Sequence, residues 1–388
     1  MVEALQEQGP LSRSQAARVV GLSKPTVSAV FNELIDAGLL RDVGSTRGSQ
    51  GPRASLYEVN NDATWVVGID VGRRWVRAAV ANLSGEIVAR VDEPARLRSD
   101  RTLLDQTGSI ARKVLVEPGL TWSQVSQVAV GSPGVVDPER KLMMMTANLP
   151  GWERLGMVDA IRAEFEGNEV HIENDVNLAA LGELWKGHGR GCDNFAYLWI
   201  GSGVGLGLVI HGQLYRGARG LAGEIGNLPI GLPDSHVEPH VETPDRPWRG
   251  WYDSSTVTAA IERLAEARNE GPLNLQGVFA LARKGDALAR EVVELEARLL
   301  ARAVAAVTGV MDPEMVILGG GVGHNGDLLL QPIERELRLL SPLSTKLLNS
   351  ALGADAVLHG AVGTAISAAW DSFLAAVGTE AEGAVIEG

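Results

Sequence analysis

The sequence predicts a mixed α/β chain in two unequal parts: a small helix–turn–helix unit with a β-hairpin, then a body of two α/β lobes. Three observations carry this. Residues 11–42, LSRSQAARVVGLSKPTVSAVFNELIDAGLLRD, show helical apolar spacing on either side of a glycine. A strand–glycine turn–strand unit that begins at Trp65 recurs from Phe195, which suggests an internal duplication. Between the two parts, near residues 45–64, glycine, serine and proline concentrate as they do at domain boundaries.

In the first part, Ser12 and Gln15 stand as a capping box for one helix and Gly21 supplies a turn. Ser23 suits the N-cap of the next helix, with Pro25 tolerated in its first turn. Val27, Val30, Phe31, Leu34 and Ile35 fall on one apolar face. Ser23, Lys24, Thr26, Ser28 and Asn32 lie off that face. A short polar surface at a helix N-terminus suits the major groove of DNA, where side chains meet base edges and phosphates. The segments GLLRDVGS and ASLYEVN read as two strands around the turn-rich STRGSQGPR, so the unit reads as a winged helix–turn–helix. The other reading is a small helical adaptor that packs on protein. Arg47 or Arg53 in the turn-rich stretch suits a narrow minor groove, or else belongs to a solvated hinge.

In the body, WVVGIDVG is a strand that ends in an acidic, glycine-containing turn at Asp70 and Gly72. VRAAVANLSGEIVARV continues as strand, turn at Ser84-Gly85, strand. FAYLWIGSGVGLGLVIHGQLYRG repeats the plan, with its turn at His211-Gly212. Paired glycine loops on a duplicated α/β unit are the pattern of the actin-like (ribonuclease H-like, sugar-kinase-type) ATPase fold, whose nucleotide lies between two lobes. HIENDVNLAALGELW puts Asn174 and Asp175 between a strand and a helix, either as a helix cap or as partners for sugar hydroxyls. Trp152 in NLPGW either stacks on a sugar or packs inside the body. GVGHNG at 321–326 matches a dinucleotide fingerprint, but no acidic residue ends a second strand after it, and no Walker sequence occurs.

The whole chain of 388 residues carries a net charge of −13, and counting residues 1–62 leaves −1 there and −12 in the remainder. An acidic body repels DNA, so any DNA contact falls to the near-neutral N-terminal part. Cys192 is the single cysteine, which excludes an internal disulfide and suits a reducing cytoplasm. No signal peptide or membrane span is read, so the expectation is a cytoplasmic protein without a membrane partner.

Over about residues 3–370 the chain resembles the ROK (repressor, open reading frame, kinase) family. The 11–40 segment is similar to the N-terminal domain of its repressor branch, and ENDVN, AGEIG and VILGGGV resemble motifs of its body. The resemblance implies Asp175 at the family's catalytic-base position, with Asn148, Asn174, Glu224, Asn227 and Asp253 as sugar contacts. Asn227 stands where the family has a histidine that binds sugar and zinc. PWRGWYDSS stands where three zinc-binding cysteines would fall, so the resemblance implies that the structural zinc site is lost and that no cofactor is held. The loop would then rest on Trp248, Trp251 and Tyr252. His236 and His240, near Asp234, Glu238 and Glu242, read as an incidental polar loop rather than a replacement metal site.

ROK kinases carry Asp-x-Gly-Gly-Thr-Lys at their first phosphate loop. Here Asp70 and Gly72 are followed by Arg73, Arg74 and Trp75, too bulky to cradle a phosphate. Asp70, Gly72, Ser202, Gly203 and Gly320 then mark a vestigial nucleotide site. The reading is a sugar-responsive regulator, most readily a repressor, that binds operator DNA as a homodimer or homotetramer and is not an enzyme. A sugar kinase that also binds DNA is the alternative, and a sugar-independent DNA-binding scaffold a third. Expected domains are 1–62 (winged helix and linker), 63–174 (first lobe, rejoined by a helix near 360–375), 175–360 (second lobe) and a disordered tail at 376–388.

Overall fold

The computed structural model describes residues 1–45, 53–137, 140, 142–144, 149, 151–201, 203–228, 255–268, 271 and 273–386. The N-terminal unit runs α1 (Val2–Gln8), α2 (Arg13–Val20), α3 (Lys24–Asp36), β1 (Leu40–Ser45) and β2 (Ser55–Val59). The capping box at α2 forms as the sequence predicts: the Gln15 amide donates to Ser12 Oγ, and the Ser12 amide donates to Gln15 Oε1 at 2.8 Å. Ser23 caps α3 by accepting from the Thr26 amide. Val27, Phe31 and Leu34 are buried, with Val30 and Ile35 packed against them. Phe31 meets Tyr57 of β2 edge-on at 5.4 Å, which fixes the hairpin against α3. Helix α1 goes beyond the sequence reading; seven residues without a capping side chain give too short a periodic signal.

The body contains two sheets of the same plan. In the first lobe, β3 (Trp65–Val71), β4 (Trp75–Asn82) and β5 (Ile87–Pro94) form an antiparallel meander. After α4 (Asp100–Val116), β6 (Val125–Ser132) lies parallel to β3. A small hairpin, β7 (Val135–Asp137) and β8 (Leu142–Met144), and α5 (Met157–Ala163) precede β9 (Glu169–Asn174), parallel to β6. The sheet order is β5-β4-β3-β6-β9.

The second lobe opens with α6 (Asp175–Lys186), then the meander β10 (Phe195–Ile200), β11 (Val204–Ile210) and β12 (Gln213–Leu214). Helices α7 (Ser255–Ala267), α8 (Leu275–Arg283) and α9 (Ala287–Met311) lead to β13 (Met315–Gly319), parallel to β10. Then come α10 (Gly320–Gly323), α11 (Gly326–Leu340), β14 (Lys346–Asn349) and the last helix, α12 (Ala356–Ile386). The order β12-β11-β10-β13-β14 repeats that of the first sheet, so the repeated sequence unit is a repeated fold. His211 and Gly212, at φ 53° and 70°, make the tight turn between β11 and β12.

Helix α12 packs on β3, β6 and α6, which ties the end of the chain to the first lobe. The α6–α12 crossing depends on small residues: a Cβ at Gly182 would overlap the Ala356 carbonyl, and one at Gly360 the Leu178 carbonyl. Residues 376–386, expected as a disordered tail, continue α12 instead. Alanine and glutamate, both good helix formers, extend a helix that is already nucleated. Among the described residues no helix is long and apolar enough to cross a membrane.

Candidate functional site

The sequence motif ENDVN becomes the junction between β9 and α6. Asn174 caps α6: its Oδ1 accepts from the amides of Val176 at 2.9 Å and Asn177 at 3.2 Å, and its Nδ2 donates to the Gly134 carbonyl. The helix-cap reading of Asn174 is thus met, and Asn174 also lines a small cleft. Glu224 lines the same cleft, on the loop after β12, with Val135, Asn177 and Gly223. Glu173 braces both walls. One carboxylate oxygen accepts from the Asn174 amide and Asn177 Nδ2, and the other accepts from Arg216 Nε of the Glu224 loop at 2.6 Å. Neither Glu173 nor Arg216 was singled out from sequence, although Glu173 sits inside the motif.

Asp175 opens α6. Its Oδ1 accepts from the Val176 amide at 2.9 Å. Burial, reinforced by the negative charges of Asp70 and Glu224, pushes its pKa up to about 7. Burial also raises that of Glu224. Three carboxylates thus share one electrostatic neighbourhood, the arrangement that receives hydroxyl donors well. Asn227 closes the short 3₁₀ turn that follows Glu224.

Asp70 has a partner that the sequence reading missed. It stands in register with Arg77 across β3 and β4, and Arg77 donates to its carboxylate at 2.8 Å. Burial drives the pKa of Asp70 up to about 6, opposed by the Arg77 charge. The signal lay in VRAAVAN, a buried strand with one lone charge. Arg77→Met leaves the buried carboxylate unpaired and is expected to destabilise the fold by about 3 kcal/mol at pH 8. A folded pKa above the ordinary 3.8 means that stability falls as pH rises through that window. Losing Arg77 moves the upper edge of the window higher, so the loss should be smaller at pH 5.5. Urea unfolding at both pH values checks this, and Asp70→Asn in the same chain should recover most of it.

Around the other glycine positions the backbone is tight. Gly72 closes a two-residue turn, its amide donating to the Trp75 carbonyl at 2.9 Å, and Arg73 and Arg74 at its tip are exposed. Gly203 accepts from the Gly201 amide. Gly320, at φ 78°, lies so close to the Ile200 carbonyl that a Cβ would overlap it, so the second and third glycine loops meet at the end of β10. Trp152 is fully buried and donates to Ser132 Oγ at 2.7 Å, which settles its role as packing. Asn148, Ser202, Asp253 and Arg47 lie outside the described residues, as do the loop histidines and tryptophans.

On the winged helix, Ser23, Lys24, Thr26 and Asn32 are exposed and Ser28 is half-buried. Lys24 and Ser28 line a groove with Arg13 and with Ala54 and Ser55 of the hairpin; Arg53, beside them in sequence, is exposed. Arg13 was not predicted. It donates to Asn32 Oδ1 at 2.7 Å and to the Ser28 carbonyl, and lies over the Phe31 and Tyr57 rings. Asn32 is therefore already engaged, and Arg13 brings positive charge to the groove.

A winged helix–turn–helix joined to a two-lobed, actin-like body with a polar cleft defines the class of protein. Residues 66–367 match the model of the ROK family, and residues 1–41 one described as winged helix-turn-helix DNA-binding. The chain belongs to the ROK family. It is 26% identical over 370 residues to the xylose repressor of Caldicellulosiruptor bescii, covering 92% of each chain. Over 339 residues it is 25% identical to the transcriptional dual regulator NagC of Escherichia coli, covering 85% of this chain and 81% of that one. A glucokinase of Halalkalibacterium halodurans is 30% identical over 288 residues, covering 70% of this chain and 84% of its own. The fold matches a ROK transcriptional regulator homologous to E. coli MLC with a TM-score of 0.76, at 22% identity and covering 97% and 96% of the two chains.

Proposed function

We propose that this protein is a sugar-responsive transcriptional repressor that binds operator DNA through its winged helix and a sugar in the cleft of its body. The observation that carries this is the covalent union of the two sites: an exposed polar α3 surface on one domain, and in the other a cleft lined by Asn174 and Glu224, with Asp175 beside Asn174 and within electrostatic reach of Glu224. The relatives named as repressors align along nearly the whole chain, whereas the glucokinase aligns over 70% of it. The chain works in the cytoplasm, where operator DNA is reached, as a symmetric homo-oligomer that reads an inverted repeat.

No zinc is held in this reading. The family's thiolate set needs three cysteines, and the one cysteine here, Cys192, follows α6 and donates to the His188 carbonyl. Kinase activity is a second reading, favoured by the raised pKa of Asp175, since a base near neutrality suits proton removal.

The experiment is selection of a duplex from a randomised pool by the full chain, followed by binding with and without sugars. Lys24→Ala is expected to weaken that duplex by roughly 1 kcal/mol or more, the scale of one phosphate or base contact. A chain without residues 1–62 that bound the duplex as tightly as the full chain would remove the DNA assignment.

A further inference from the structure

We infer that α6 is the mechanical link between the sugar cleft and the DNA-reading helix, acting through the β4–β5 turn and the 60–62 linker. The inference rests on the sugar-responsive reading above and says how that response is transmitted. Helix α6 spans about 18 Å at 1.5 Å per residue. Its first turn borders the cleft through Val176 and Asn177, and its first residue, Asp175, lies within electrostatic reach of Glu224. Its last, Lys186, donates from Nζ to the Gly85 carbonyl at 2.8 Å, in the turn between β4 and β5. Gly85 lies so close to Trp185, the preceding residue of α6, that a Cβ there would overlap the indole ring. The C-terminal end of α6 therefore grips this turn by packing and by a hydrogen bond.

The same turn holds the interdomain linker. Buried Asn82 organises it, its Oδ1 accepting from the Ser84 amide and hydroxyl and from the Glu86 amide. Asn82 Nδ2 then donates to Asp62 at 3.0 Å, and the Leu83 amide donates to the Asn61 carbonyl at 2.9 Å. One residue earlier, the Asn60 amide donates to the Leu39 carbonyl at 2.8 Å and Asn60 Nδ2 to the Gly38 carbonyl at 2.9 Å. Gly38 and Leu39 close the end of α3, their amides donating to the Ile35 and Leu34 carbonyls.

From Asp175 to α3 the route thus consists of one helix, one braced turn and one pinned linker, with no unbonded step. A sugar held between Asp175 on α6 and Glu224 on the opposite wall favours one setting of α6 against the first sheet. That preference reaches α3 as a change in the position of the winged helix. The sugar shifts operator affinity only by the difference in its own affinity for the two settings.

The test uses the full chain, the selected duplex, and D-glucose, D-xylose and N-acetyl-D-glucosamine as probes. The quantity read is the ratio of duplex Kd with and without the probe that binds wild type. Lys186→Met, at an exposed site, and Asn60→Ala are each expected to lower this ratio at least about threefold. Duplex Kd without sugar and sugar Kd by calorimetry should stay within about twofold, whereas a merely structural lesion would move both; Lys186→Arg should restore the ratio. Wild-type ratios in both variants would overturn the link while leaving the sugar response standing. A wild-type ratio of 1 with all three sugars would overturn the sugar-responsive reading, and the link with it.

Discussion

With ATP, magnesium and a broad sugar panel, turnover is expected to stay at least about 10³-fold below the roughly 1–100 per second typical of kinases. Phosphoryl transfer gains almost all its acceleration from positioning the phosphate and stabilising its charge. Two features of the cleft work against that. The turn after β3 is closed by the Gly72–Trp75 hydrogen bond, with two arginines at its tip in place of a small residue and a hydroxyl. Asp70, the carboxylate nearest that turn, is occupied by Arg77 at 2.8 Å, so a guanidinium already neutralises the charge that would otherwise attract a metal–phosphate complex. The sugar side is different: the electrostatics of Asp175 still suit a base, and the glycine loops at the end of β10 remain close together. Turnover of about 1 per second or faster, abolished by Asp175→Asn, would show a kinase that also binds DNA.

How much of this was legible in the sequence varies with the range of the interactions involved. The capping box at Ser12 and Gln15, the Ser23 cap and the buried stripe of α3 were legible because each is set by contacts within a turn or two of helix. The duplicated sheet was legible because strand, turn and strand recur in the same order. Arg77 and Arg216 were not. Each finds its partner across a strand pair or across the cleft, at a register that sequence spacing alone does not fix. Asn174 shows why the two readings of ENDVN could not be separated beforehand: a helix N-terminus facing a cleft needs a cap and offers a ligand site in the same place.

Asp175→Asn combined with Glu224→Gln is expected to weaken sugar binding by about 10²- to 10⁴-fold while leaving operator affinity in the absence of sugar unchanged. A hydrogen bond from a hydroxyl to a carboxylate contributes about 1.5–3 kcal/mol, and two are removed with little change of shape. Without sugar neither side chain has a ligand with which to bias the setting of α6, so operator affinity is expected to be spared. A pH dependence should accompany the loss. Without sugar, burial and the neighbouring carboxylates push the pKa of Asp175 up to about 7, so it keeps its proton to a higher pH than an ordinary carboxylate does. Hydroxyl donors favour the charged form and pull that pKa down. Sugar binding at pH 7 therefore releases protons, and affinity rises as pH goes from 6 to 8. Calorimetry in two buffers of different ionisation enthalpy reads the proton release directly, and in Asp175→Asn most of it should vanish. A double variant that kept both its sugar affinity and its pH dependence would place the sugar somewhere other than the cleft between Asp175 and Glu224.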